Sequence, residues 1–117
     1  MAYVDGFVLA VPKQQIETYK EMARKFGAVW KEYGALAFVE CVADDVPYGE
    51  ITSFPRAVQA KPEETVVFSW IVYESRAQRD AVNAKVMADP RLKREMSEMP
   101  FDGKRMIYGG FEMWLQL

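Results

Sequence analysis

The sequence predicts an α+β fold in which two helices cover one face of a four-stranded antiparallel sheet. One pattern, an apolar strand followed by an amphipathic helix and a second strand, occurs twice within 117 residues. The segments of the two copies are, in order, residues 3–8, 13–33 and 35–43, then 65–73, 75–88 and 105–115. Because crossovers between strands of one sheet are right-handed, the order β-α-β-β-α-β predicts the ferredoxin-like arrangement. We expect residues 1–117 to form a single domain of this class.

The first copy contains a strand, a long helix and a glycine stop. Alternation along the strand places Tyr3, Asp5, Phe7, Leu9 and Val11 on one face. Pro12 can begin a helix, since its missing N–H is not needed there. The helix is predicted by apolar residues at steps of three and four, which are Ile16, Tyr19, Met22, Ala23, Phe26, Val29, Trp30 and Tyr33. Gly34 follows the last of them, where a left-handed C-cap is typical.

The second copy begins after about 20 residues without a strong period, a length that favours a functional loop or an arm. Within that loop, residues 51–58 could form a short edge strand or hairpin interrupted by Pro55. Ser75 and Gln78 form a capping-box pattern at the start of the second helix. Asp89-Pro90 ends this helix, and a further short turn through Met96 is predicted. The pair Gly109-Gly110 suggests a bulge or a close backbone contact in the last strand.

One face of the predicted sheet lacks a cover. Two helices can cover only one side, yet the strands at 35–43 and 66–73 carry apolar residues on both. An exposed apolar sheet face is larger than soluble monomers tolerate. We therefore expect a homodimer in which two sheets pack face to face and form a dimeric α+β barrel.

Composition excludes several classes of chemistry. Histidine is absent, so a Ser-His-Asp triad, a Cys-His pair, a histidine metal site and the usual haem ligand are excluded, and we predict neither metal nor cofactor. Lys and Arg are interleaved with Asp and Glu at a net charge of −2, which argues against nucleic acid. The longest apolar stretch, residues 66–73, is too short to cross a membrane.

The single cysteine and the N-terminus bear on location. Cys41 cannot form an intrachain disulfide, and no signal peptide is visible at the N-terminus. Both observations favour the cytoplasm. No cationic residue neighbours Cys41 in sequence, which predicts a buried structural thiol rather than a reactive one.

Acidic residues inside predicted strands are the candidate catalytic groups. Asp5 and Glu112 lie on the first and last strands, which this topology makes neighbours, and Arg56 or Arg105 could share their site. A buried carboxylate must be paired or protonated, so a general base with a raised pKa is one interpretation. An ion pair at the dimer interface or a side chain at the rim of the sheet is the alternative.

Aromatic residues and one arginine are the candidate ligand-binding groups. Trp30, Tyr33 and Trp70 could wall a pocket for a planar ligand, although aromatic residues at such positions are more often core. Arg56, in the rigid turn Phe54-Pro55-Arg56, suits either recognition of an anion or a contact between subunits.

Several segments resemble the YbaA-like family of short bacterial proteins. They include Tyr3-Val4-Asp5-Gly6-Phe7, Val39-Glu40-Cys41-Val42, Thr52-Ser53-Phe54-Pro55-Arg56 and Met99-Pro100-Phe101-Asp102-Gly103. The resemblance covers essentially the whole chain and implies membership of the dimeric α+β barrel superfamily. That superfamily includes cofactor-free monooxygenases, haem-degrading enzymes and isomerases, an analogy at the level of the fold.

Three functional hypotheses follow, none of them tied to a catalytic motif. The first is a dimer that binds a small aromatic or anionic ligand through Asp5, Trp30, Tyr33 and Trp70 with Arg56, and that could act as a cofactor-independent monooxygenase- or isomerase-like enzyme. The second is a non-catalytic dimeric module that binds a protein through the loop at residues 44–64. The third is RNA binding, which predicts a steep loss of affinity with salt.

Overall fold

The computed structural model describes residues 2–117. Its helices and strands are, in chain order, β1 (Tyr3–Pro12), α1 (Ile16–Glu32), β2 (Ala37–Val42), α2 (Phe54–Ala57), β3 (Glu64–Tyr73), α3 (Arg76–Ala88), α4 (Pro90–Ser97) and β4 (Ile107–Glu112). The four strands form one antiparallel sheet in the order β2-β3-β1-β4. The predicted ferredoxin-like topology is confirmed, including the contact between the first and last strands.

Alternation along the strands separates two faces of the sheet. Leu9 and Val11 of β1 lie with Val67 and Ile71 of β3 in the main core, on the face covered by α1 and α3. Their neighbours in the chain point to the opposite face, as the period of two requires. Asp5 is four residues before Leu9, so the two side chains point to the same face of the sheet. The Asp5 carboxylate therefore lies under the helices. The burial of that carboxylate follows from the strand register alone.

The long helix α1 packs on the sheet through one apolar face, and a glycine follows its C-terminal end. Its buried residues are Tyr19, Met22, Ala23, Phe26, Gly27, Val29 and Trp30, which match the predicted stripe. After the helix, Gly34 adopts a φ of 115°, a region that favours glycine, and the chain turns into β2.

Helix α3 begins with the predicted serine cap, but the capping box is only half formed. Ser75 Oγ accepts a hydrogen bond from the backbone N–H of Gln78 at 3.1 Å. The Gln78 side chain reaches back to the N–H of Glu74 and donates to the carbonyl of Gly34. Gln78 therefore ties the start of α3 to the end of α1 as well as capping its own helix.

The loop between β2 and β3 contains a short helix instead of the suggested strand or hairpin. Ser53 caps α2, and Pro55 lies in its first turn, where a residue without an N–H is tolerated and a strand pairing would be interrupted. Val58, just after α2, is buried against Val8 and Val66 on the face opposite α1 and α3. The loop thus covers one end of that face.

The rest of this face is open. Phe68 of β3 is 43% exposed, and Ile107 and Phe111 of β4 are also exposed. Cys41 lies on the same face and is half-buried, so the expectation of a buried thiol is wrong for the isolated chain. The strand β2 is at the edge of the sheet, and its side chains pack less closely than those of the central strands.

The glycine pair in β4 forms no bulge. Its register with β1 runs without interruption from Ile107 to Glu112. Gly110 lies instead against the side chain of Tyr3. A Cβ at position 110 would be 2.4 Å from the Tyr3 hydroxyl, too close for any residue other than glycine. The close contact is therefore with a side chain rather than with backbone.

No helix within residues 2–117 is long and apolar enough to cross a membrane.

Candidate functional site

Asp5 is the central group of a buried polar cluster between the sheet and the helices. It lies near the start of β1, on the covered face, and is only 6% exposed. Arg79 of α3 places its Nη1 3.4 Å from Asp5 Oδ1. A buried carboxylate requires such a partner, since an unpaired charge in the interior is strongly unfavourable.

Arg79 is oriented by Tyr3 as well as by Asp5. Its Nη2 donates a hydrogen bond to the Tyr3 hydroxyl at 3.1 Å, and its guanidinium lies 4.9 Å from the centre of the Tyr3 ring. Gly110 leaves the space that this ring occupies. Tyr3 and Arg79 together form the outer wall of the cluster.

A network of uncharged groups lies on the inner side of the cluster. Trp30 Nε1 donates to the hydroxyl of Tyr73 at 3.1 Å and to Asn83 Oδ1 at 3.3 Å. The Tyr73 hydroxyl in turn donates to Asn83 Oδ1 at 3.2 Å. Tyr73 is fully buried, so this network has fixed geometry.

The environment makes Asp5 a stronger proton acceptor than an ordinary aspartate. Burial raises the pKa of Asp5, while Arg79, Tyr73 and Asn83 oppose the rise. Burial also raises the pKa of Tyr73, which keeps its hydroxyl protonated. The cluster therefore combines one carboxylate that can accept a proton, one guanidinium and neutral donors, a combination suited to general acid–base chemistry.

Two of the four candidate ligand-binding residues, Trp30 and Tyr33, lie on the helix-covered side of the sheet, and only Trp30 joins the cluster. Trp30 is part of the network with Tyr73. Tyr33 lies at the end of α1, where its hydroxyl donates to Asp89 Oδ2 at 2.6 Å and its pKa is raised by that hydrogen bond. Tyr33 thus helps to hold the junction of α3 and α4 in place.

Trp70 and Arg56 lie elsewhere. Trp70 has the parity of the open face, where its ring centre is 5.4 Å from that of Phe68. Arg56 folds back on its own loop, donating to the carbonyls of Tyr48 and Gly49 and stacking 4.0 Å from the Tyr48 ring. The structure therefore does not bring Asp5, Trp70 and Arg56 into one pocket, since the sheet separates them.

Glu112 lies on the same face as Asp5, but its side chain is exposed and is not part of the buried cluster. In the register of β1 with β4, Asp5 is opposite Gly110, and Glu112 is opposite Tyr3 at the exposed end of the strand. The prediction that Arg56 or Arg105 shares a site with Asp5 is wrong, since both arginines have other partners. Arg105 forms a two-pronged ion pair with Glu64 instead, at 2.7 and 2.8 Å.

Sequence reasoning missed Arg79 and Asn83, although a signal was present. Both lie at helical spacing with the buried Val82 and Val86, so they belong to the inward stripe of α3. A charged residue and an amide within an otherwise apolar stripe indicate a buried polar partner.

Within residues 2–117, no three side chains of the His, Cys, Asp or Glu type are placed to hold a metal ion together.

The sheet order, the two covering helices and the buried Asp5 cluster define a ferredoxin-like α+β protein. The chain belongs to the family described as protein of unknown function (DUF1428), which matches residues 2–103. It is 59% identical over 112 residues to the uncharacterized protein YbaA of Escherichia coli strain K12, covering 96% of both chains.

Solved structures with the same fold are much more distant in sequence. SnoaB, a cofactor-independent oxygenase from Streptomyces nogalater, superimposes with a TM-score of 0.63 at 11% identity, covering 99% of this chain and 96% of SnoaB. A dimeric ferredoxin-like protein from an uncultured marine organism superimposes with a TM-score of 0.59 at 14% identity, covering 100% of each chain. At these identities the likeness establishes the fold alone.

Proposed function

We propose that the protein is a homodimer that binds a small aromatic or anionic molecule at the Asp5–Arg79 cluster. In this proposal Asp5 accepts a proton from the bound molecule in cofactor-independent chemistry of the monooxygenase or isomerase kind. The observation that carries the proposal is a buried carboxylate of raised pKa that is held by a single guanidinium. A perturbed titratable group in a fixed polar network is typical of a functional site.

The roles of the other residues follow from their positions. Arg79 replaces Arg56 as the anion-binding group, since its guanidinium is in the same cluster as Asp5. Tyr3, which accepts a hydrogen bond from Arg79, and Trp30, which donates to Tyr73, supply the aromatic side chains of the cluster. Loss of a proton from an electron-rich aromatic molecule to Asp5 would leave an anion able to donate an electron to dioxygen. SnoaB, which has the same fold, is described as a cofactor-independent oxygenase, so the fold is compatible with such chemistry.

The test of this function is oxygen consumption with Asp5→Asn. Purified protein is incubated with a panel of hydroquinones and hydroxynaphthalenes in an oxygen electrode, and binding of each compound is followed by native mass spectrometry. We expect at least one compound to be turned over, and at least a roughly 100-fold lower rate with Asp5→Asn because a general base is lost. Glu112→Gln, which neutralises an exposed carboxylate on the neighbouring strand, is the matched control and should retain the wild-type rate. Equal rates for the wild type and Asp5→Asn would remove Asp5 from the mechanism.

The open sheet face supports the dimer. Phe68, Ile107 and Phe111 are exposed on one continuous face, and burying them against a second copy removes apolar surface from water. The relative described as a dimeric ferredoxin-like protein shares the whole topology. Two sheets packed through these faces would form the dimeric α+β barrel.

Phe68→Lys is expected to produce a monomer. A lysine at this position would place two ammonium groups in the centre of the dimer contact, weakening association by at least about 100-fold, or roughly 3 kcal/mol. Sedimentation velocity at micromolar concentration measures the effect. Met87→Lys, at an exposed position of α3 on the opposite side of the protein, is the control and should remain dimeric. A monomeric wild type would contradict the proposal.

A non-catalytic interaction module is the second candidate function. It is favoured by Ile51 in the loop before α2, which is 94% exposed. An apolar side chain this exposed is suited to contact with another protein. A non-catalytic module should consume no oxygen with any compound of the panel, whether as wild type or as Asp5→Asn. The oxygen-electrode experiment therefore distinguishes this function from the enzymatic one.

The free thiol of Cys41 supports a reducing compartment such as the cytoplasm.

A further inference from the structure

An open cleft lies between α1 and the edge strand β2. It has a volume of about 470 Å³, within the range of small-molecule sites, and shares no lining residue with the Asp5 cluster. Its walls combine apolar residues of α1, β2 and the neighbouring strand β3, including Ala23, Val42 and Val67, with charged residues at the mouth. The cleft is therefore a separate concave site on the covered face of the sheet.

Small residues on α1 keep the cleft open. Ala23, Gly27 and Ala28 face it, so the helix contributes little side-chain volume there. Gly27 also lets the Phe38 ring approach the helix backbone, since a Cβ at Gly27 would be 2.7 Å from Phe38 Cδ1. The Phe38 ring thereby forms one apolar wall, while the space beside it stays empty of side chains.

An exposed carboxylate of β2 and a buried phenol of α1 are paired in the wall of this cleft. The Tyr19 hydroxyl donates to Glu40 Oε1 at 2.6 Å, and Tyr19 is only 5% exposed. Burial raises the pKa of Tyr19, so the hydroxyl stays protonated and oriented towards Glu40. The carboxylate of Glu40 can still accept a hydrogen bond at its other oxygen.

Three cations surround the mouth. Lys20 and Arg24 lie one turn apart on α1, and Lys31 lies near the end of the helix. Lys20 and Arg24 contact only exposed glutamates three residues earlier, and such surface pairs contribute about 1 kcal/mol or less. Lys20 and Arg24 can therefore turn towards an anion at the mouth at little cost.

We propose that this cleft binds small aromatic hydroxy acids. The carboxylate of the ligand pairs with Arg24 and Lys20, the ring packs between Val42 and the small residues of α1, and the hydroxyl donates to Glu40. Charge complementarity decides the orientation, because the cations lie on α1 and the acceptor lies across the cleft on β2. The site is independent of the function proposed for Asp5.

The probes are benzoate and the three monohydroxybenzoates, titrated into ¹⁵N-labelled protein and followed by amide chemical shifts. We expect shifts confined to residues 19–28, to Lys31 and to residues 38–42. At least one hydroxybenzoate should bind more tightly than benzoate by about tenfold or more, the gain of a hydrogen bond to a charged acceptor. Glu40→Gln should remove most of this advantage, and Arg24→Glu should weaken all four probes by about tenfold or more. Arg94→Glu, the same change on α4, is the control and should bind as the wild type does.

Four outcomes would overturn the proposal. The first is an absence of shifts at 10 mM of every probe. The second is a set of shifts at the Asp5 cluster or the open sheet face with none at the cleft. The third is an equal affinity for benzoate and all hydroxybenzoates. The fourth is a set of nuclear Overhauser contacts from Phe38 or Val42 to a second copy in mixed-label samples, which would assign the cleft to the dimer. Asp5→Asn should bind the probes unchanged, so failure here is distinct from failure of the function proposed for Asp5.

Discussion

Replacing Arg79 with Met is expected to lower the free energy of unfolding by about 3 kcal/mol at pH 7, because a buried carboxylate then loses its partner. The loss should be much smaller near pH 4. Burial already raises the pKa of Asp5 above its ordinary value of 3.8, and Arg79 opposes that rise. Without Arg79 the pKa of Asp5 in the folded protein rises further. The neighbouring Asp80 carboxylate, which contacts Arg79 Nε at 3.1 Å, acts in the same direction.

The sign of the pH dependence follows from linkage. A carboxyl whose pKa is higher in the folded than in the unfolded protein binds its proton more tightly when folded. The stability gained in this way is fully present below pH 3.8, the ordinary pKa, and is lost as the pH rises through the raised pKa of the folded state. Arg79→Met should therefore show a steeper fall in stability from pH 4 to pH 7 than the wild type.

Urea unfolding at pH 4 and pH 7 measures this difference. The double variant Asp5→Asn/Arg79→Met should lose the extra pH dependence, since no charge remains to be buried. Arg76→Met, an exposed arginine on the same helix, is the control and should change stability by less than about 0.5 kcal/mol. An equal loss for Arg79→Met at both pH values would show that Arg79 acts through packing on Tyr3 rather than through the charge of Asp5.

Gly110→Ala is expected to lower the free energy of unfolding by about 2 kcal/mol, a typical cost of overpacking. The added methyl group would be 2.4 Å from the hydroxyl of Tyr3 and 2.7 Å from its Cε2. The buried ring must move, and its hydrogen bond from Arg79 is lost with it. The substitution thus reaches the Asp5 cluster from a strand that contributes no charged group to it.

A double-mutant cycle with Tyr3→Leu tests the cause. In that background the clash is absent, so Gly110→Ala should cost less than about 0.5 kcal/mol. Gly103→Ala is the control for the general effect of replacing glycine, because a Cβ there meets nothing within 4 Å. A loss that persists in the Tyr3→Leu background would place the strain in the backbone of β4 instead.

Much of the fold was predictable from local patterns. The apolar stripe of α1, the serine cap of α3 and the alternation of β1 each depend on residues close together in the chain. The segment around Ile51 and Pro55 was less predictable because it lacks a period. There the Ser53 cap and the burial of Val58 against β1 and β3 decided in favour of a helical turn.

The candidate site was predictable only in part. The position of Asp5 in a buried strand was sufficient to identify it as a candidate. Its partner could not be identified from the sequence, because Arg79 is 74 positions away in the chain. No local feature distinguishes Arg79 from Arg56 or Arg105 as the partner of Asp5. The Trp30 and Trp70 side chains were also indistinguishable by type, although the sheet places them on opposite sides.

The sequence by itself determined the order of elements, the grouping of Asp5 with Leu9 and Val11 on one face of the sheet and the exclusion of histidine chemistry. These properties depend on composition and on periods of two or 3.6 residues, which are local. Only the tertiary structure decided that Arg79 pairs with Asp5, that Tyr19 pairs with Glu40 and that Gly110 makes room for Tyr3. Such contacts join residues far apart in sequence, and their partners are chosen by packing and strand register rather than by local preference.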